Sequence, residues 1–206
     1  MIDLDTLIPT ALTVSVAGET LAIKPLKVGQ MPAFLRAMLR QSRANLGLQT
    51  LDLYYLHNPE AQLQTLDRPT FEARLRRAFA ALEQAVADGE IASYGVATWS
   101  GLRARPHERD HLSLARLCEL AREIGGDAHH LRTVQLPLNL AMPEAARLQN
   151  QVLHGRSGTL LQVADELGVH VVVSAALLQG KLARHSAAGQ GEQGRRCSSP
   201  ARCRAW

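Results

Sequence analysis

The chain has 206 residues, 46% of them apolar, and a formal net charge of +4, enough for one ordinary core or two small ones. No apolar run reaches about 18 residues, which argues against a membrane span, and the acidic start MIDLDTLIPT lacks the layout of a secretory signal. The positive charge sits at the end, where Lys181, Arg184, Arg195, Arg196, Arg202 and Arg204 face Glu192 alone, so no basic domain for nucleic acid is indicated.

Residues 8–25 read as a β-hairpin: Leu12, Val14 and Val16 alternate with polar neighbours, Ala17-Gly18-Glu19 can turn, and Leu21 to Ile23 run back. A helix is expected from about Gln30 to Leu46. Met31, Phe34, Leu35, Met38 and Leu39 stand at helical spacing, Pro32 fits the first turn and Gly47 the end. The strand Leu51–Leu56 delivers His57-Asn58-Pro59 at its C-terminal end. Pro69-Thr70 opens a helix to about Asp88 with Phe71, Leu75, Phe79 and Leu82 as its buried stripe, stopped by Gly89.

Ile91 to Ala97 is a second strand, ending at Thr98-Trp99-Ser100. A helix follows from Leu112 to Ile124, then a strand from Leu131 to Leu136. A further helix spans Thr159 to Leu167, and Val169–Val173 is a fourth strand, apolar on both faces. Strands alternating with helices argue for a parallel sheet covered by helices. The special residues His57, Trp99, Asn139 and Gln179 follow the strands, at the end where parallel α/β folds bind ligands. The pattern fits half of a (β/α) barrel or a small open doubly wound sheet. Residues 185–206 have no apolar period and read as a disordered basic tail.

Some polar clusters have bland readings. His107 and His111 stand four apart without a third ligand, His129-His130 precede a strand, and no metal site is expected. Cys118, Cys197 and Cys203 form no CxxC pair and no even framework, which suits a reducing, cytoplasmic setting. Tyr55 lies two positions before His57 on the same strand face and is expected in the core, with Tyr54 facing the helix layer.

The stretch LDLYYLHNPE resembles the aldo/keto reductase family, where a strand ends in His-Asn/Lys-Pro. The runs FAALEQAVADGEIASYGVAT, VQLPLNL and LGVHVVVSAALLQGKL follow in the family order, so that residues 41–184 are covered. The resemblance implies part of an eight-stranded (β/α)8 TIM barrel, about four strand–helix units, binding NADP(H) at its C-terminal face. It implies hydride transfer to a small carbonyl substrate, with a Tyr protonating the carbonyl oxygen, a Lys and an Asp tuning that Tyr, and a His orienting the carbonyl.

By that resemblance His57 matches the catalytic His. Ala97 and Thr98 take the positions that hold the carboxamide, Gln135 lies under the nicotinamide, and Ser174 stands where a Tyr commonly stacks. Ala175, Leu177 and Gln179 fall in the pyrophosphate loop. The Asp, Tyr and Lys have no counterpart, which implies an enzyme that is truncated and inactive alone, or one completed by a partner chain. Residues 1–40 are expected to be foreign to the barrel. Their run LAIKPLKVGQMPAFLRAM resembles the start of a phage tail-associated protein. The alternatives to an enzyme are a chimeric assembly protein or a non-functional gene fragment.

Overall fold

The computed structural model describes residues 12–16, 19–23, 31–178 and 180–181. The expected tail and Gln179 lie outside the described residues. The elements in chain order are strands β1 (Leu12–Val16) and β2 (Glu19–Ile23), helix α1 (Met31–Leu46), strand β3 (Tyr54–His57), helix α2 (Arg68–Ala87), strand β4 (Tyr94–Ala97) and helix α3 (Leu114–Gly125). They continue with β5 (Leu131–Pro137), α4 (Glu144–Arg147), β6 (Gln151–Leu153), β7 (Arg156–Gly158), α5 (Leu160–Glu166) and β8 (His170–Ser174).

The main sheet has four strands in the order β3-β4-β5-β8. β5 and β8 are parallel, with Thr133 opposite His170 and Pro137 opposite Ser174. Leu51 and Ile91 form a parallel bridge ahead of β3 and β4. The strand order follows the chain without reversal. A doubly wound sheet reverses direction at a switch point, whereas a barrel advances one strand at a time. Of the two folds the pattern allowed, the sheet is therefore the partial α/β barrel, and it is not closed: β3 and β8 are its outer strands.

The chain divides into two compact units, the first comprising Met1–Tyr55, Gln62–Tyr94 and Leu117–Leu131. There β1 and β2 pair antiparallel with Leu12 opposite Ile23 and Val16 opposite Glu19, as the alternation predicts. α2 starts where Asp67 accepts the N–H of Thr70 at 2.8 Å, and its stripe of Phe71, Leu75, Phe79 and Leu82 is buried. α1 buries Leu35 and Leu39, but Phe34 (41%) and Met38 (42%) are exposed. Only the i, i+4 pair faces inward, so the expected apolar stripe is wider than the surface that covers it.

In the same unit Tyr94 is fully buried, 5.5 Å from the Phe79 ring. Its hydroxyl donates to Glu83 Oε1 at 2.8 Å, and the same carboxylate takes the His130 N–H at 2.8 Å and lies 2.7 Å from His130 Nδ1. Burial works to raise the Glu83 carboxyl, but the His130 backbone and ring bonds, the Tyr94 bond and the His130 charge outweigh it and hold the group below its ordinary range. Cys118 is buried, and desolvation pushes its thiol up to about 11, so it is inert rather than nucleophilic.

The second unit comprises Leu56–Ala61, Gly95–Arg116 and Arg132–Trp206. It contains the antiparallel β6–β7 hairpin, absent from the sequence reading, closed through His154 and Gly155, both at positive φ. Buried amides tie it down. Asn150 Nδ2 donates to the Leu102 and Ala104 carbonyls at 2.9 and 2.8 Å. Gln151 donates to Leu112 O at 3.1 Å and accepts the Leu114 N–H at 2.8 Å. α5 begins with a full capping box between Thr159 and Gln162.

Candidate functional site at the strand ends

Four loops of the second unit follow the C-terminal ends of β3, β4, β5 and β8, where the expected site residues fall. His57 closes β3 and is exposed. The next residue, Asn58, has φ +45°, a left-handed conformation that asparagine tolerates better than most residues. Its N–H donates to the Ala97 carbonyl at 2.7 Å, which fastens the turn after His57 to the end of β4.

Ala97 and Thr98 are buried, and the Thr98 N–H donates to the Gln135 carbonyl at 2.8 Å. The Thr98 hydroxyl is buried with no hydrogen-bond partner. Gln135 is half-buried in β5. Ser174, half-buried, ends β8, and its carbonyl accepts the Leu138 N–H at 3.2 Å. Ala175 follows at φ +54°, a conformation costly for a residue with a Cβ, and its carbonyl is held by Asn139 Nδ2 at 2.9 Å. Leu177 is 64% exposed. Hydrogen bonds thus join β3 to β4, β4 to β5 and β5 to β8 at this one end.

Reading the sequence missed Glu60. It is buried, 3% exposed, and its Oε1 accepts three consecutive backbone N–H groups of the loop after β4: Trp99 at 2.9 Å, Ser100 at 3.2 Å and Gly101 at 3.3 Å. The signal available was a carboxylate directly after His-Asn-Pro. Its partners lie about 40 residues on, beyond any local pattern.

The phenols do not suit the proton-donor role. Tyr94 is occupied by Glu83, and desolvation raises both Tyr54 and Tyr55, the direction opposite to that of an acid working near neutral pH. Tyr55, expected in the core, is half-buried, and its hydroxyl has no hydrogen-bond partner. The His57 side chain makes no hydrogen bond among the described residues. His111 Nε2 lies 2.9 Å from the Asn150 carbonyl, in a part-buried contact. Among the described residues no group of three potential metal ligands occurs, and no helix is long and apolar enough to cross a membrane.

The model of the Aldo/keto reductase family matches residues 12–106. This match begins inside the segment expected to be foreign and ends ahead of β5. Among solved structures the chain is similar to the glycerol dehydrogenase from Gluconobacter oxydans, at 18% identity and a TM-score of 0.47 over 84% of this chain and 40% of that one. It is also similar to an aldo/keto reductase from Klebsiella pneumoniae solved in complex with NADP and acetate, at 20% identity and a TM-score of 0.46 over 71% of this chain and 38% of that one. The chain therefore spans about 40% of the length of these structures. No curated protein matches it.

Proposed function

We propose that the second unit is the nucleotide-facing portion of an aldo/keto-reductase-like oxidoreductase, taking NADP(H) at the ends of β4, β5 and β8 and a small carbonyl compound beside His57. The observation that carries this reading is the series His57, Ala97-Thr98, Gln135 and Ser174-Ala175. One group follows another on successive strands of the sheet, all at the same end. The residues fit the carboxamide side of the cofactor. The Thr98 hydroxyl is buried and unpaired, a cost that a polar ligand group would relieve after a small side-chain rotation. Ser174 offers no aromatic face to the ring, so the stacking contribution is missing on that side.

NADPH would supply the hydride. His57, exposed at its strand end, would hold the carbonyl oxygen by donating a hydrogen bond. The turn from Ala175 to Leu177 would follow the pyrophosphate. By the resemblance, Gln179 would follow in the same pyrophosphate loop. Protonation of the carbonyl oxygen needs a general acid, and none of the three tyrosines is tuned for it. The reading therefore assigns that group to a partner chain completing the barrel and expects no turnover from this chain alone. The assembly reading of residues 1–40 rests on the run LAIKPLKVGQMPAFLRAM alone.

Hydrogen exchange of the purified chain with and without NADPH tests the reading. Protection of residues 169–178 by the cofactor, without NADPH consumption in the presence of an aromatic aldehyde, is expected. Unchanged exchange at millimolar NADPH overturns cofactor binding. Aldehyde reduction that disappears in His57→Ala overturns the missing acid.

A further inference from the structure

A cleft of about 460 Å³ opens between the loop after β4 and α4, in the second unit, and none of its lining residues belongs to the series described above. Its size falls within the usual range for a small-molecule site. Ser100, Arg103, Arg105, Glu108, Glu144 and Arg147 line it.

Charge and hydrogen bonding separate these groups into two sets. Arg103 is fixed: Nε and Nη2 donate to the two Glu144 oxygens at 3.1 and 2.9 Å, and Nη1 donates to the Trp99 carbonyl at 3.1 Å. That guanidinium is 13% exposed and its charge is matched by Glu144, yet it has N–H groups left over. The Glu108 carboxylate accepts the Arg105 backbone N–H at 3.1 Å. The Arg105 and Arg147 guanidinia are exposed and have no side-chain partner among the described residues. With Glu144 assigned to Arg103, two free guanidinia face one carboxylate, so the cleft carries a positive excess.

We propose that this cleft binds a small phosphate monoester. Three guanidinia reaching from separate chain positions, with the Ser100 hydroxyl, supply more donors than the two oxygens of a carboxylate can take. They suit the three oxygens of a phosphate group. Glu144 presets the Arg103 plane before the ligand arrives, which lowers the ordering cost of binding. The proposal is independent of nicotinamide binding.

The test is calorimetric titration of the full chain with glycerol 3-phosphate at fixed ionic strength, with glycerol as the neutral control. Binding of the ester but not of glycerol is expected. The double variant R105S/R147S should weaken it by about tenfold or more, the loss of two charge-assisted contacts. A control variant, R36S/R77S, changes exposed arginines of α1 and α2 and should bind as the parent does. Should R105S/R147S fold poorly by circular dichroism, R105K/R147K keeps the charge while removing the forks and should still bind more weakly. Equal binding by R105S/R147S and the parent, or an equal loss in R36S/R77S, overturns the site.

Discussion

Glu60 Oε1 accepts the Trp99 backbone N–H at 2.9 Å, so the turn that follows His57 and the loop that follows β4 share one buried carboxylate. Ser100 and Gly101 point their N–H groups at the same oxygen. Three consecutive amides around one oxygen form an anion nest, filled here by a side chain of the protein itself.

Glu60→Ala should therefore release three backbone donors at once, that of Gly101 fully buried and those of Trp99 and Ser100 part-buried. Hydrogen bonds to a charged group contribute about 1.5–3 kcal/mol each in isolation, but the three share one acceptor, so a total loss of about 2–4 kcal/mol is expected. Glu60→Gln keeps one acceptor oxygen and should lose less. Urea unfolding measures the difference, and amide exchange at 99–101 should speed up in Glu60→Ala. Exchange unchanged there would show that the nest does not hold the loop.

Gly101 has no room for a side chain. A Cβ at this position would lie 2.8 Å from Leu112 Cδ1 and 3.2 Å from Glu60 Cβ. Gly101→Ala must push apart Leu112, which is itself buried, and should cost about 1–3 kcal/mol as overpacking. Gly89→Ala is a different case: nothing lies near the added methyl, but φ is +71°, so its cost is backbone strain of about 1 kcal/mol. A shorter residue at Leu112 should rescue Gly101→Ala and leave Gly89→Ala unchanged in thermal melts of the double variants.

Glu83 makes stability depend on acid. Its folded carboxyl lies below the ordinary value of about 4.3. A depressed carboxylate contributes stability that is present above the unfolded pKa and is lost as pH falls through the folded one. Melting temperature should thus be steady from neutral pH down to about 5 in this respect, then fall with further acidification. Glu83→Gln should lower the melting temperature at pH 7 and flatten the acid limb. An unchanged acid limb in Glu83→Gln would assign the slope to other carboxylates.

The sequence alone determined the local units. α2 was visible because Pro69-Thr70, the stripe of Phe71, Leu75, Phe79 and Leu82, and Gly89 mark a helix start, face and stop, and α5 as the helical run from Thr159 to Leu167; the Asp67 cap and the Thr159–Gln162 capping box emerged in the structure. The four parallel strands were visible as short apolar runs between helices, and that alternation put His57, Trp99 and Asn139 after the strand ends; Thr98, Gln135 and Ser174 were singled out only by the family resemblance. These features depend on residues within a turn or two of each other, which is the range over which propensity and periodicity act.

Tertiary structure decided the rest. The monotonic strand order chose the open barrel over a doubly wound sheet, a matter of which strand pairs with which. The exposure of Phe34 and Met38, the Glu60 nest and the anchoring of β6 through Asn150 and Gln151 all depend on partners tens of residues away. So does the left-handed backbone of Asn58 and Ala175, each bonded through its backbone across the strand ends. A buried polar group is stable only when a partner meets it, and the position of that partner is set by the packed chain rather than by neighbours in sequence.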